Sequence, residues 1–169
     1  DSASVRQLAT ALTKKWQLLR LVKDNTELLE KRVDERTLSL QNSLSLTRSI
    51  LESSTDGIVA VDNDGIILYY NQRFIEMWKI PDQIISTKNY NFFIKYTLEA
   101  LIYPQNYIKS INELKNTPEE IYIDSLNFKD GRNFEIYSQP HKVNNQTIGR
   151  IWSFCDVTKH MVLEKKLEM

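Results

Sequence analysis

The chain has 169 residues, of which 41% are hydrophobic and 26% charged, and this suits one soluble domain with an extra element. Its 22 basic and 22 acidic side chains give no net charge, which argues against a dedicated nucleic-acid binder, and its single Cys excludes a disulfide framework and a Cys-based zinc site. No uncharged apolar stretch reaches the roughly 18 residues of a membrane span, and no signal-peptide pattern opens the chain, so we expect a cytoplasmic protein without direct membrane contact.

Residues 1–52 are predicted to form one long helix, because the segment is rich in Leu, Lys, Arg and Glu and contains neither Gly nor Pro. A heptad seam runs along it at the following positions: Leu8, Leu12, Lys15, Leu19, Val22, Thr26, Leu29, Val33, Arg36, Leu40, Ser43, Thr47 and Ile50. Eight of these thirteen positions are apolar. Because so long a helix needs a partner, the pattern favours a parallel dimeric coiled coil, and a helix packed on its own domain is the alternative.

From residue 53 onward the helical period stops and short β-like runs begin. Residues 57–62 and 66–71 flank Asp64-Gly65, a dipeptide typical of a tight turn between two strands. Residues 72–117 are predicted to form several short helices bounded by Pro. Three further strands are predicted at residues 121–128, 133–143 and 148–156, and a helix at residues 157–169. This order predicts an α+β domain built on one antiparallel sheet with helices on one face.

Charged residues in the predicted strands suggest which side chains face the helices, because successive residues point to opposite sides and charges should face water. Asp62, Asp124, Glu135 and Arg150 were assigned to the outer side on this basis. The predicted pocket residues are then Val59, Val61, Leu68, Tyr70, Phe74, Ile123, Ser125, Phe134, Ile136, Ser138, Ser153 and Cys155. The small residues among them favour a cavity beneath the helices for a small ligand, and a filled core is the alternative.

The outer side of the sheet is predicted to carry Ile58, Tyr137, Trp152 and Phe154. So much apolar surface marks a contact, so we expect the long helix or a second subunit to cover it. The predicted dimer and helix-packing face therefore combines these four residues with four from the helix seam. The helix residues are Leu29, Val33, Leu40 and Ile50.

Residues 50–158 resemble a PAS domain. The run STDGIVAVDNDGIILYYNQRFIEMWKIP is similar to the opening hairpin and first helix of that family, including an Asn after the second strand, here Asn71. The runs DGRNFEIYSQP and GRIWSFCDVT are similar to its last three strands and its Asp-x-Thr exit motif, here Asp156 and Thr158. The resemblance implies a five-stranded sheet with a pocket under short helices, and a sensory domain over residues 53–158.

The flanking segments resemble the surroundings of PAS domains in bacterial sensor proteins. The run ELLEKRVDERTLSLQNSL is similar to the signalling helices that precede such domains. Residues 159–169 are similar to the start of the exit helix that leads to a histidine kinase or diguanylate cyclase output domain. The resemblance implies a homodimer through the N-terminal helix, an output domain in cis, and a cytoplasmic location that includes the cytoplasmic part of a membrane-bound sensor.

The expected function is a regulatory sensory and dimerisation module that relays a ligand or an upstream helix motion to the output domain. Asp156 and Thr158 are the predicted relay residues, because their side chains can bond to backbone where strand becomes helix. The alternative is a structural spacer and dimerisation domain that binds no ligand. An enzyme is not expected, because neither His141 nor His160 has a nucleophile or metal-ligand partner in the sequence, so no catalytic or metal site is predicted.

Family subtypes can be compared with this chain residue by residue. Flavin-photoactive members carry a reactive Cys in the helices after the second strand, whereas the only Cys here is Cys155 in the last strand. Haem-binding members use a His before the third strand, and residues 82–118 contain none. We therefore predict neither covalent flavin nor haem, and the expected ligand is an unidentified small molecule.

Overall fold

The computed structural model describes residues 2–167, apart from the side chains of Val5 and residues 164–166. The chain divides between Ser49 and Ile50 into two compact units. Helix α1 (Ser2–Glu52) confirms the predicted long N-terminal helix and is roughly 75 Å long at the usual rise per residue. Within the described residues, no helix is both long and apolar enough to cross a membrane.

The described side chains of α1 are exposed from residue 2 to residue 50, including every seam position. Leu29 is 59% exposed and Val33 is 61% exposed. The polar seam residues Thr26 and Thr47 donate their hydroxyls to the carbonyls of Val22 and Ser43, one turn back, at 2.8 and 2.9 Å. These bonds satisfy both hydroxyls within the helix, so Thr26 and Thr47 can occupy seam positions without a hydrogen-bond partner on another helix.

Five strands form one sheet in which every neighbouring pair is antiparallel, and the order is β2-β1-β5-β4-β3. Their bounds are β1 (Gly57–Asp62), β2 (Ile67–Tyr70), β3 (Tyr122–Asn127), β4 (Asn133–Val143) and β5 (Gln146–Asp156). Gly65 has a φ of 80° in the turn between β1 and β2, a conformation that Gly adopts without strain. The predicted α+β fold is therefore confirmed.

Four short helices lie between β2 and β3 in sequence, and a sixth helix follows the sheet. They are α2 (Gln72–Trp78), α3 (Asp82–Ile85), α4 (Tyr90–Leu98), α5 (Pro104–Asn116) and α6 (Thr158–Leu167). Pro81 precedes α3 and Pro104 begins α5, which agrees with proline as a helix boundary. The last two residues of the predicted exit helix lie outside the described residues.

Aromatic rings fill the centre of the domain between the sheet and the helices. The Trp78 ring meets Phe93, Phe134 and Phe154 edge-on, with centroid distances between 5.1 and 5.7 Å. Phe74 and Phe154 have no exposed surface. Edge-to-face packing places the positive ring edges against negative ring faces, which adds to the burial of apolar area. The middle of the inner face is therefore solid core.

The prediction that Trp152 and Phe154 face outward is wrong. Trp152 stands opposite Val59 and Ser138 in the sheet, and these three residues are at most 2% exposed. Residues opposite each other in neighbouring strands share one face of a sheet, so Trp152 faces the helices. The error came from placing Arg150 on the water side, whereas Arg150 stands opposite Val61 on the inner face. Phe154 lies two residues farther along β5 and therefore faces the same side of the sheet.

A second prediction about the faces of the sheet is also wrong, namely that the pocket is lined by Ile123, Ser125, Ser153 and Cys155. Ile58, Ser153, Tyr137 and Ile123 stand side by side across four strands on the outer face. Ile123 is 72% exposed. In β3 the misleading charge is Asp124, which lies on the inner face, where it accepts a hydrogen bond from the Tyr122 hydroxyl at 2.5 Å.

The placement of Leu68 is a further correction, and the surroundings of Cys155 determine its reactivity. Leu68 is 52% exposed, because the pairing of β1 with β2 shifts register between Ala60 and Val61, and such a bulge displaces the alternation. Cys155 is half-buried beside Asp56, and burial together with this carboxylate raises the pKa of its thiol. A thiol held neutral in this way is a poor nucleophile.

Candidate ligand-binding site

A cavity of about 750 Å³ lies at the end of the sheet where the β1–β2 turn and the β4–β5 hairpin come together. Helices α4 and α5 form its opposite wall through Ile94, Ile111 and Leu114. Apolar residues recur on α5 at a spacing of three, so one side of this helix presents a continuous apolar surface. The volume falls within the range of small-molecule sites, which are mostly apolar with a few polar groups.

A close approach of β5 to β1 forms part of the cavity wall. A Cβ atom placed on Gly149 would lie 2.0 Å from the Val61 carbonyl oxygen and 2.7 Å from the Asp62 Cα. Only Gly allows the two strands to meet at this distance. Gly149 and Val61 both line the cavity, so the distance between β1 and β5 at this point determines the position of this part of the cavity wall.

Two buried polar atoms belong to residues of the cavity wall. Tyr90 is 6% exposed and Trp152 is 2% exposed, and their rings stack with centroids 5.9 Å apart. The Tyr90 hydroxyl and the Trp152 indole N–H have no hydrogen-bond partner within the described part of the chain. Burial, with the nearby Tyr107 hydroxyl, raises the Tyr90 pKa well above its usual range, so this hydroxyl keeps its proton. Buried donors without partners are rare in proteins, and the Tyr90 hydroxyl lies close to that of Tyr107.

Arg150 lies beside these rings with its guanidinium carbon 5.8 Å from the centre of the Trp152 ring. Its side chain donates to the carbonyl oxygens of Pro118, Glu120 and Ser138, at 3.1, 2.7 and 3.4 Å, and its Nε donates to the Ser138 hydroxyl at 3.1 Å. Every one of these acceptors is uncharged. Burial lowers the pKa of the guanidinium, and the nearby Glu120 carboxylate opposes this shift only in part.

The structure assigns few of the predicted pocket residues to the cavity. Of the twelve, Val61 alone is among its described lining residues. Five of the others belong to the filled core, namely Val59, Phe74, Phe134, Ile136 and Ser138. Tyr70 is half-buried and packs against that core, and Ser125 lines a separate pocket of about 180 Å³ beside α5. The cavity therefore lies at one end of the inner face rather than at its centre.

Sequence reasoning missed Tyr90, Arg150 and Trp152. The apolar spacing of Ile108, Ile111 and Leu114 on α5 was a usable signal for the opposite wall. Nothing in the local sequence shows that Arg150 faces inward, because its carbonyl partners come from a distant loop and from β4.

The end of β5 is tied to the start of α6 by the predicted relay residues. The Asp156 carboxylate accepts from the Thr158 backbone N–H at 3.0 Å and from its hydroxyl at 2.5 Å. The Thr158 hydroxyl oxygen accepts from the Asn133 N–H at 2.9 Å. The first turn of α6 is thereby fastened to both β5 and β4.

The start of the domain is organised by Asn71, which is fully buried. Its carbonyl oxygen accepts from the N–H groups of Ile58 and Phe74, at 2.8 and 3.0 Å. Its amide donates to the carbonyls of Leu51 and Asp56, at 3.0 and 2.9 Å. One side chain therefore links the last turn of α1, strand β1 and the N-terminus of α2.

No three His, Cys, Asp or Glu side chains converge on a possible metal position within residues 2–167. His141 and Cys155 do not line the cavity. The polar groups that line it are the carboxylates of Asp62, Asp64 and Glu119, the cations of Lys115 and Arg150, and several amide and hydroxyl side chains.

A family model described as a PAS domain matches residues 45–104. The sensor region of a sensor histidine kinase is 14% identical, with a TM-score of 0.50, and the match covers 64% of this chain and 41% of that one. The PAS domain of Bordetella pertussis BvgS is 13% identical, with a TM-score of 0.50, and the match covers 75% and 95%. An RNA-binding light-oxygen-voltage receptor is 17% identical, with a TM-score of 0.51, and the match covers 77% and 37%. No curated protein matches the chain.

This chain thus spans about two fifths of the histidine kinase sensor region. At sequence identities of 13–17%, the similarity to these solved structures shows the fold alone. The family model accounts for the end of α1, the first hairpin and the helices up to the start of α5. Strands β3 to β5 complete the five-stranded sheet. Residues 45–104 thus match a PAS domain model, and the five-stranded sheet with its helices has the fold of solved PAS domains, preceded by a long N-terminal helix.

Proposed function

We propose that this chain is the regulatory sensory and dimerisation part of a bacterial signal-transduction protein, and that it relays a small-molecule signal to a downstream output domain. The observation that carries the proposal is the cavity of about 750 Å³ with two buried, unpartnered polar atoms among its lining residues. A structural spacer, the alternative function, has no need of such a cavity. Small-molecule sites are typically cavities of this size with mostly apolar walls and a few polar groups.

The ligand of this proposal is a non-covalently bound organic molecule. Cys155 lies on the outer face of the sheet, so its thiol cannot form an adduct with a molecule in the cavity. The described lining residues include no His that could hold a haem iron. Neither covalent flavin nor haem is part of the proposal.

The proposed relay runs from the cavity through the sheet to the two flanking helices. The cavity contacts β5 through Gly149, Arg150 and Trp152, and the same strand ends at Asp156, which holds the start of α6. A ligand that prefers one arrangement of β5 would bias the position of α6 by its difference in affinity, typically 1–3 kcal/mol. We propose that the output domain follows α6.

The exit contact can be tested by replacing Asp156 with Ala. We expect backbone amides at the start of α6 to exchange hydrogen about fivefold faster, because loss of a capping carboxylate destabilises a helix end by about 1 kcal/mol. Mass-spectrometric hydrogen exchange measures this, with a melting curve to show that the sheet is intact. Glu135→Ala, which removes an exposed acidic residue from the neighbouring strand, should leave α6 unchanged. Unchanged exchange in Asp156→Ala would remove Asp156 from the relay.

The dimer of this proposal forms through α1, where the apolar seam stands exposed along the helix. Leu29 is a seam residue, whereas Leu38 lies off the seam with the same exposure of 59%. We expect Leu29→Asp to weaken dimerisation about a hundredfold, because it removes a core leucine and places two carboxylates in contact. Leu38→Asp should leave the dimer intact.

Native mass spectrometry of the gently purified chain tests both parts of the proposal, dimerisation and ligand binding. The wild type and Leu38→Asp should appear as dimers with an added small-molecule mass, and Leu29→Asp should appear as a monomer that retains that mass. A dimer of bare chains would favour the spacer. A wild-type monomer would contradict the coiled coil.

A further inference from the structure

The residues that line the cavity differ in character between its mouth and its interior. Apart from Pro118, the exposed lining residues are all polar, and they lie at the mouth. The buried and half-buried lining residues are mainly apolar, among them Ile94, Ile108, Ile111 and Leu114. The interior therefore offers a ligand apolar surface to bury, and little else.

The charged lining residues nearest the strands already have partners within the chain. The Arg150 guanidinium donates to three backbone carbonyls and one hydroxyl. The Asp62 carboxylate accepts from two backbone N–H groups of the β1–β2 turn, at 3.0 and 2.8 Å. The Glu119 carboxylate binds the Lys142 ammonium and the Thr147 hydroxyl, which lower the pKa of its carboxyl. A charged ligand that used any of these groups would have to compete with contacts already made.

The other two charged lining residues, Asp64 and Lys115, are exposed at the mouth. Their charges are opposite and both are in contact with water, so together they give little preference for either sign. The Tyr90 hydroxyl and the Trp152 indole nitrogen are covered by protein, so these two residues contribute ring surface to the cavity rather than polar groups. The described interior thus has no charge that is waiting for a counter-ion.

A charged group pays heavily for entering such an interior. Moving an ion from water into apolar surroundings is unfavourable unless a counter-charge and hydrogen bonds receive it. A neutral apolar molecule pays no such cost, and it buries its own surface against the side chains of α4 and α5. The same wall therefore discriminates against anions and cations alike.

We propose that this cavity binds a neutral, predominantly apolar small molecule and selects against organic anions and cations of the same size. The inference rests on the proposed function, since it names the chemical class of the ligand for the same cavity. It makes a separate claim, because a charged ligand would serve a sensory cavity equally well. Apolar burial provides the affinity, and the absence of an available counter-charge provides the selectivity.

Three naphthalene derivatives that differ mainly in the charge of one substituent test this class. They are 1-naphthalenemethanol, which is neutral, 1-naphthylmethylamine, which is a cation at neutral pH, and 1-naphthoate, which is an anion. Each competes for the full chain with N-phenyl-1-naphthylamine, a neutral dye whose fluorescence rises in apolar surroundings. We expect the alcohol to displace the dye at a concentration at least about tenfold lower than either ion, because only the ions lose the hydration of a charge. Displacement by either ion at the same or a lower concentration would overturn the proposed class while leaving a ligand cavity in place.

Variants of the apolar wall establish that the dye occupies this cavity. Ile111→Trp and Ile108→Trp each add a large ring to the wall formed by α5, and each should weaken binding of the dye at least about fivefold. The matched control is Phe92→Trp, because Phe92 is an exposed apolar residue of α4 that does not line the described cavity, and it should bind the dye as the wild type does. Melting curves show which variants retain the fold, and the second position on α5 serves if the first does not.

The failure of the ligand class and the failure of the proposed function give different results. If the dye binds the wild type and both α5 variants equally well, it occupies another apolar surface, and the proposed function fails together with the ligand class. The same holds if the wild type binds no dye. If the α5 variants exclude the dye but an ion displaces it from the wild type as well as the alcohol does, the cavity stands and only the neutral class is overturned.

Discussion

Replacing Asn71 with Ala is expected to lower the free energy of unfolding of the domain that follows α1 by about 3 kcal/mol. The side chain is fully buried and makes four hydrogen bonds, all to backbone groups. Ala would leave two N–H groups and two carbonyls without this partner, in a region that water reaches poorly. It would also remove the N-terminal cap of α2, since the Asn71 oxygen accepts from the Phe74 N–H.

Urea unfolding followed by tryptophan fluorescence measures this effect. The matched control is Asn89→Ala, because Asn89 also caps a helix but makes one side-chain bond, to the Asn91 N–H at 2.9 Å. We expect this control to lose about 1 kcal/mol. Asn71→Asp keeps an acceptor oxygen but places a second oxygen against the carbonyls of Leu51 and Asp56 in a buried position, so it should be at least as destabilising as Asn71→Ala. Equal losses in the two Ala variants would show that Asn71 acts only as a cap.

The four hydrogen bonds of the Asn71 side chain connect several elements at the start of the domain. They reach the end of α1 at Leu51, the linker at Asp56, the first residues of β1 and the start of α2. In the proposed relay, Asn71 would transmit a motion of the last turn of α1 to β1, as Asp156 and Thr158 would connect β5 to α6.

Gly149→Ala is expected to destabilise the domain by about 3 kcal/mol or more, because overpacking against fixed backbone has few ways to relax. The new Cβ would meet the Val61 carbonyl oxygen at 2.0 Å and the Asp62 Cα at 2.7 Å. Both atoms belong to a paired strand, so relief requires β1 and β5 to move apart. The movement would break hydrogen bonds of the central strand pair and displace the wall of the cavity.

Gly131→Ala is the matched control for this substitution. Gly131 has a φ of 87°, so Ala would be strained there, but no atom lies within 4 Å of its Cβ position. The backbone strain alone should lower the free energy of unfolding by about 1 kcal/mol. The same urea titration measures both variants. A loss in Gly149→Ala no larger than in Gly131→Ala would mean that the strands separate easily at this point.

Local sequence determined the order and type of the elements. The absence of Gly and Pro over residues 1–52 predicted α1, Asp64-Gly65 predicted the first hairpin, and Pro81 and Pro104 marked helix boundaries. Each of these depends on the backbone preference of one or two neighbouring residues, which distant parts of the chain do not change. The five-stranded antiparallel sheet followed from the order of these elements.

Tertiary structure alone decided which faces of β3 and β5 are buried and where the cavity lies. The rule that charged residues face water failed at Arg150 and Asp124, because each has hydrogen-bond partners away from the outer face. Arg150 donates to the carbonyls of Pro118, Glu120 and Ser138. Asp124 accepts from the Tyr122 hydroxyl. The partners of Arg150 come from another strand and from a loop, so alternation within β5 could not reveal them, whereas Tyr122 lies two residues from Asp124 on the same face of β3. The cavity is likewise made by residues far apart in the sequence, and its position depends on how closely Gly149 lets two strands approach.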